Sequence, residues 1–285
     1  MKSIFRTIAL LSAFLCVLSC SMDFLYVQLP GSSWTLTVND KKAFLHFEQE
    51  NACLMQRDIA TGDVLVYNGT YTAKGHAVTV SIEDGSTVKV VRTFSHLKNS
   101  SNKNYSSFSP SSDYTVDNTV WVNIYQKNFR VMYLSTEGQA KSFEFANMIH
   151  EEGIPYGWKQ GSKAYTRAGN QLSVGDRNFT LFPETMLSED TWYMHFDNLE
   201  GTGSSELKGS AWTLRTGGYP GIIVFNTGGT FTRVLTSSFT RYQVMQGTYS
   251  LSGDQLTLTM GDKTEQCTVA GNSFTFMEKT YDLFE

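Results

Sequence analysis

The sequence is poor in the residues that build reactive sites by themselves. In 285 residues it has four cysteines, five histidines and five prolines. Cys16 and Cys20 fall in the first twenty residues, which leaves Cys53 and Cys267 for the folded part. So few cysteines exclude a disulfide-stapled scaffold, and buried free thiols are expected rather than a cross-link. No Cys-x-x-Cys and no Cys/His zinc spacing occurs, so no metal is expected. His46, His76, His96, His150 and His195 form neither His-x-His nor His-Glu-x-x-His. Charge is scarce too, at 18% with a net −4, so the basic face that nucleic acid needs is not expected.

Other catalytic signatures are missing in the same way. There is no Gly-x-Ser-x-Gly elbow. Gly217-Gly218 and Gly228-Gly229 read as turn glycines, because no Gly-Lys-Ser/Thr follows them to make a phosphate loop. Glu184, Glu189 and Asp190 have no spacing that singles them out as a hydrolytic pair, so they read as surface loop. His150-Glu151-Glu152 reads as a solvated polar turn, since adjacent residues do not converge. The expectation is a protein that is not an enzyme and uses no cofactor.

The first residues are a targeting segment. Lys2 and Arg6 make a positive start, and Ile8–Leu18 is an apolar run too short to span a bilayer comfortably. Val17-Leu18-Ser19-Cys20 follows. It resembles the lipobox of bacterial lipoproteins, which implies cleavage before Cys20, lipidation of Cys20 and a membrane partner bound through the acylated N-terminus. Ser21 after the cysteine resembles the sorting pattern for the outer membrane, which implies a cell-envelope, outer-membrane lipoprotein. A multiply acylated terminus is a stable anchor.

What the sequence has in quantity is aromatics: 19 Phe, 14 Tyr and 5 Trp, which with many Thr, Val and Gly favour strands. It also has an internal repeat. Gly31-Ser-Ser-Trp-Thr-Leu36 recurs 178 positions later as Gly209-Ser-Ala-Trp-Thr-Leu214. The same offset relates Phe47 to Phe225, Gly69-Thr-Tyr71 to Gly247-Thr-Tyr249, and Gly75 to Gly253, which predicts a gapless register. A third, diverged copy starts at Trp121 and closes with Tyr165-Thr-Arg-Ala-Gly169. It lacks the opening Gly-Ser, and about seven residues are inserted around Ser142–Gly161. Trp34, Trp121, Trp212 and Tyr71, Tyr165, Tyr249 are read as core, because a core must be built three times and a ligand site need not be.

Between turn signals the pattern alternates with period two. Val78, Val80 and Ile82 share one face, as do Leu256, Leu258 and Met260. Trp212/Leu214, Ile223/Phe225 and Phe274/Phe276 are expected inward, with Thr213, Thr257, Thr259 and Thr275 facing water. The predicted organisation is a signal peptide (1–19), a tether (20–30), module one (31–97), a Ser/Asn-rich linker (98–112), module two (113–198), a second linker (199–206) and module three (207–285) of seven strands. Successive strands without crossover helices make antiparallel meanders. One weak helix is expected where Phe145, Met148, Ile149 and Glu152 have helical spacing before Gly153.

The Gly-x-x-Trp opening with the Gly-Thr-Tyr and Gly closing resembles the short lipocalin-like domains that occur, often in tandem, in secreted lipoproteins of Gram-negative gut bacteria. The resemblance covers most of the mature chain and is looser in module two. It implies an all-β fold of tandem small antiparallel barrels or half-barrels, and a binding role. Each unit has room for six to eight short strands, so side chains rather than a cup are expected inside. Tyr156 and Trp158, in Gly153-Ile-Pro-Tyr-Gly-Trp-Lys-Gln-Gly161, are the candidate contacts for an unknown protein or small-molecule ligand. Two alternatives remain at the level of sequence. One is a lipocalin-type carrier of an apolar molecule; the other is an enzyme inhibitor or an unrecognised enzyme.

Overall fold

The structure is a computed structural model that describes residues 25–82, 85–125, 128–148, 152–153, 156–188, 191–195, 207–214, 219–237 and 241–284. The signal segment, Cys20, the expected linker at 199–206, His150-Glu151 and Glu189-Asp190 lie outside the described residues.

Among the described residues every element is a strand, and the strands fall into three sets of eight. The first set is β1 (Ser32–Val38), β2 (Lys41–Phe47), β3 (Asn51–Asp58), β4 (Asp63–Lys74), β5 (Ala77–Ile82), β6 (Thr87–Arg92), β7 (Leu97–Lys98) and β8 (Asn104–Phe108). Consecutive strands pair around the ring, and β8 returns to β1 with Trp34 opposite Ser107. The second set is β9 (Thr119–Tyr125), β10 (Asn128–Leu134), β11 (Gln139–Ala146), β12 (Gly157–Ala168), β13 (Gln171–Val174), β14 (Arg177–Phe182), β15 (Thr185–Ser188) and β16 (Thr191–His195). It also closes, with His195 opposite Trp121. The third set is β17 (Ala211–Leu214), β18 (Gly221–Phe225), β19 (Thr230–Thr236), β20 (Arg241–Ser252), β21 (Gln255–Met260), β22 (Lys263–Thr268), β23 (Ser273–Phe276) and β24 (Lys279–Phe284). Its ladder runs from β23 through β24 and β17 round to β22. The seven strands expected here are therefore eight.

The same local device opens all three sets. A turn places a residue at positive φ three positions before the tryptophan: Gly31 at 74°, Asn118 at 60° and Gly209 at 71°. Glycine and asparagine tolerate that region best. The next residue supplies a hydroxyl: Ser32, Thr119 or Ser210. It donates to the carbonyl three residues back, on Leu29 (2.5 Å), Val116 and Leu207 (2.6 Å). It also accepts the indole N–H of Trp34 (2.8 Å), Trp121 (2.7 Å) or Trp212 (3.0 Å). The buried indole is thus satisfied by the residue two positions before it. The diverged copy does have an opening; Asn118-Thr119 replaces Gly-Ser.

The closing tyrosines are equally regular. Their hydroxyls reach the carbonyl fourteen residues after the tryptophan: Glu48 (3.1 Å), Ser135 (2.7 Å) and Asn226 (3.5 Å). The tyrosine N–H groups donate to Glu50, Gly138 and Gly229. These partners correct the gapless register. Asn226 N–H bonds to Thr230, whereas Glu48 N–H bonds to Asn51, so the β2–β3 turn is one residue shorter than its counterpart. The strand after it is displaced by one residue, and the offset recovers before Gly69.

The interiors are aromatic and aliphatic. Trp34, Phe47, Leu54, Val78 and Val80 pack in the first set. Trp121, Met132, Tyr165, Phe179 and Leu181 pack in the second. Trp212, Phe225, Phe231, Phe274 and Tyr281 pack in the third. Cys53 and Cys267 are free and buried. Burial raises both thiol pKa values, Cys267 to about 11, so neither is a reactive thiolate.

Three local expectations are corrected. Residues 98–112 are not simply a linker, because Asn104–Phe108 form β8, which closes the first ring. Its Asn-Ser-Ser positions read as linker because they face solvent; of the described side chains only Tyr105 is buried. No helix forms at Phe145–Met148, where Phe145 and Ala146 end β11. Thr213, expected in water, is buried, because the outer faces of β17–β20 are covered as well.

The chain divides into two compact units, residues 1–56 with 66–108 and residues 57–65 with 109–285. The tip of the β3–β4 hairpin therefore belongs to the second unit. There Asp63–Leu65 pair antiparallel with Arg241–Gln243, the corresponding positions of the repeat.

In the first unit His46 is 5% exposed, with Nδ1 2.8 Å from Ser33 Oγ. Burial lowers its pKa from 6.5 to about 4, partly offset by a hydrogen bond with the Ser32 backbone. Above pH 6.5 the imidazole is neutral folded and unfolded, so it costs nothing. Between pH 6.5 and 4 the unfolded chain binds the extra proton, so stability falls as pH falls. Urea midpoints at pH 7 and 4.5 should show an acid loss in wild type about 2–3 kcal/mol larger than in His46→Gln. An equal acid loss in both would remove this role.

Candidate functional site

The two aromatics singled out by sequence lie at the start of β12. Trp158 is on the strand rather than on a loop, and Tyr156 immediately precedes it. The register sets Trp158 opposite Phe145 of β11, and Phe145 opposite Phe129 of β10. The rings meet edge to face: Phe145 to Trp158 at 5.3 Å, Phe129 to Trp158 at 5.7 Å and Phe145 to Tyr156 at 5.0 Å. Phe284 of β24 adds a further ring at 6.0 Å from Trp158. Such offset geometries are the favoured ones for aromatic pairs. Trp158 is half-buried in this cluster, while Tyr156 is 53% exposed.

The strand period continues the site along the wall. Trp158, Gln160 and Ser162 point outward together, opposite Phe145, Phe143 and Lys141 of β11. Facing them are Ser210, Ala211 and Phe284 at the edge formed by β17 and β24. Between the two sides lies a cleft of about 350 Å3. Phe143 and Phe284 stand 6.2 Å apart in it.

The walls are tied together by polar contacts. Lys141 Nζ donates to Gly209 O at 3.0 Å. Asn118 Oδ1 accepts from Thr227 N–H at 2.9 Å, and its amide donates to Thr227 O at 3.2 Å. The Tyr133 hydroxyl lies 3.1 Å from Asn118 Oδ1 and 3.0 Å from Thr227 Oγ1. The cleft is thus preformed. It offers ring faces, an amide, hydroxyls and an ammonium, which suits a ligand with both apolar and hydroxylated surface. Among the described residues no group of three or more His, Cys, Asp and Glu is placed to hold a metal.

Other candidates from sequence do not join the site. His195 is buried, its Nδ1 3.0 Å from Val120 O and its ring 5.0 Å from Trp121, so it is a core residue. Glu184 occupies a turn at φ 62°. Tyr165 is a core residue whose phenol pKa is raised by burial and by its hydrogen bond with Asp117. Sequence reasoning missed Lys141, Phe143, Gln160, Ser162 and Phe284. The alternation Trp158-x-Gln160-x-Ser162 carried the signal for two of them.

No protein-family model matches the chain, and no curated protein sequence does. Among solved structures, similarity is found to DNA polymerase III beta-subunit sliding clamps. That of Bartonella birtlesii has 7% identity and a TM-score of 0.13, covering 90% of this chain and 92% of the clamp. That of Pseudomonas aeruginosa has 5% identity and a TM-score of 0.14, covering 91% and 94%. That of Thermotoga maritima has 7% identity and a TM-score of 0.15, covering 90% and 91%. At these TM-scores the likeness carries no argument about this chain.

Proposed function

We propose that the chain is a lipid-anchored, non-catalytic protein of the cell envelope that binds a glycan at the β11–β12 wall. The observation that carries this reading is the cleft itself. Phe143 and Phe284 supply rings in it beside Gln160, Ser162 and Lys141, and Trp158, packed on Phe284, continues the aromatic wall to Tyr156. Sugar rings pair an apolar face with a rim of hydroxyls, and this wall presents the complement of both. The packed interiors favour a wall site over an apolar carrier cavity. The lipobox at Cys20 supports the membrane attachment, and Ser21 supports the outer membrane as its destination.

The test is a glycan array probed with the soluble chain starting at Ser21, followed by calorimetry on the retained oligosaccharide. Trp158→Ala and Gln160→Ala should each weaken binding about tenfold or more, the usual cost of a truncated aromatic anchor or a lost polar contact. Retention of no glycan sinks the reading; retention with both variants unchanged moves the site elsewhere.

A further inference from the structure

Inside the third set of strands a charge is buried without a counter-charge. Arg233 of β19 is 2% exposed and points into the same interior as Phe231 and Ile223. Its Nε donates to the Tyr281 hydroxyl at 2.7 Å. Its Nη1 meets the sulfurs of Met245 (3.3 Å) and Met277 (3.1 Å). Its guanidinium carbon stands over the rings of Phe276 (5.3 Å) and Tyr281 (5.8 Å). All of these groups are neutral. Among the described residues no carboxylate pairs with Arg233, and Nη2 has no hydrogen-bond partner. A buried charge ordinarily comes paired, because desolvation costs several kcal/mol. At the equivalent position the other two sets carry no charge: the residue four after Glu50 is Leu54, and the residue four after Gly138 is Ser142.

The guanidinium also lies at an opening. Met245 is only half-buried, and Met277 is 36% exposed. Met277 and Glu278 form the β23–β24 turn at φ 49° and 60°, a region costly for side chains other than Gly and Asn. That turn is held from β22 by Glu265, whose Oε1 accepts the Met277 N–H at 2.9 Å. It stands where the ladder is interrupted, since among the described residues β22 pairs only with β21 and β23 only with β24. Thioether side chains are adaptable packing groups, suited to a surface that reshapes around a ligand.

We infer that Arg233 is the anchor of a second binding site, for the carboxylate of a small organic acid. The acid enters past Met277, its carboxylate takes the free Nη2 edge, and its apolar part lies along Met245 and Met277. The inference is independent of the glycan reading, because it uses different strands and a different ligand.

The experiment titrates the soluble chain with octanoate, acetate and octanol at constant ionic strength, reading heat and melting temperature. Octanoate is expected to bind saturably and to raise the melting temperature, with octanol at least about tenfold weaker, the worth of a charge-assisted hydrogen bond. Acetate binding alone marks a site for a free small anion; octanoate binding well above acetate marks one for an aliphatic acid. Arg233→Gln should lose octanoate about tenfold or more while keeping its near-ultraviolet dichroism. If Arg233→Gln does not fold, Met277→Gly, which relieves the turn and removes one thioether, should still change octanoate affinity. The inference is overturned by absence of binding for both acids, by octanol binding as well as octanoate, or by a folded Arg233→Gln that binds unchanged.

Discussion

Trp212→Ala should cost the third set of strands about 3–5 kcal/mol, the range for deleting a buried aromatic. The ring is 2% exposed and meets Phe274 at 5.0 Å. Ile223, directly opposite it on β18, is fully buried too, so little nearby can relax into the space. The substitution also strips Ser210 Oγ of the indole N–H that it accepts, although Ser210 keeps its bond to Leu207 O. Trp212→Phe separates the two effects. It keeps most of the volume and loses the hydrogen bond, so about 1 kcal/mol of the loss should remain beyond the change in size. Urea midpoints of the three proteins decide the matter. A near-neutral Trp212→Ala would mean that the tryptophan is not a core residue, and with it would go the account of why the motif recurs.

Gly247→Ala should be nearly as damaging, for the opposite reason. A Cβ at this position would lie 2.2 Å from Thr259 O and 2.7 Å from the Phe231 ring. The carbonyl belongs to the paired strand β21 and cannot rotate away, so the ladder itself must open. The cost expected is about 3 kcal/mol or more, at the upper end for overpacking. Gly69 repeats the situation, 2.1 Å from Ser81 O. The second set carries Lys163 at the equivalent place, and there a Cβ on Gly175 would meet the Lys163 side chain at 2.5 Å. The room is made on the neighbouring segment instead. Lys163→Gly should therefore be close to neutral in a melt, and a loss comparable to Gly247→Ala would break this comparison.

Much of the architecture was legible because it rests on short-range chemistry. Trp-to-Tyr spacing, alternation in Val78-x-Val80-x-Ile82 and recurring turn glycines all report on one strand and its neighbour. What escaped was of two kinds. Asn118-Thr119 does the work of Gly-Ser through a backbone angle and a hydroxyl, so identity was lost while function was kept. Strand β8, Asn-Tyr-Ser-Ser-Phe, lies in a Ser/Asn-rich stretch, and its pairing with β7 and β1 makes it a strand. The candidate site was half legible. Tyr156 and Trp158 stood out by type, but the cleft needs Phe284 and Ser210 from the far end of the chain. No local pattern ties those to β12. Arg233 was invisible for the same reason, since a lone arginine in a strand reads as solvated until its surroundings are known.

The pairing of β8 with β1 and of β16 with β9 has a kinetic side. Each ring is sealed by its own last strand, so its first strand waits for the whole intervening segment before its second edge is satisfied. Loop-closure entropy falls due ahead of the contacts that offset it, which makes such rings slow to form. During synthesis from the N-terminus, an exposed β1 or β9 edge persists until its partner emerges, and in that interval the chain is most open to pairing with other molecules.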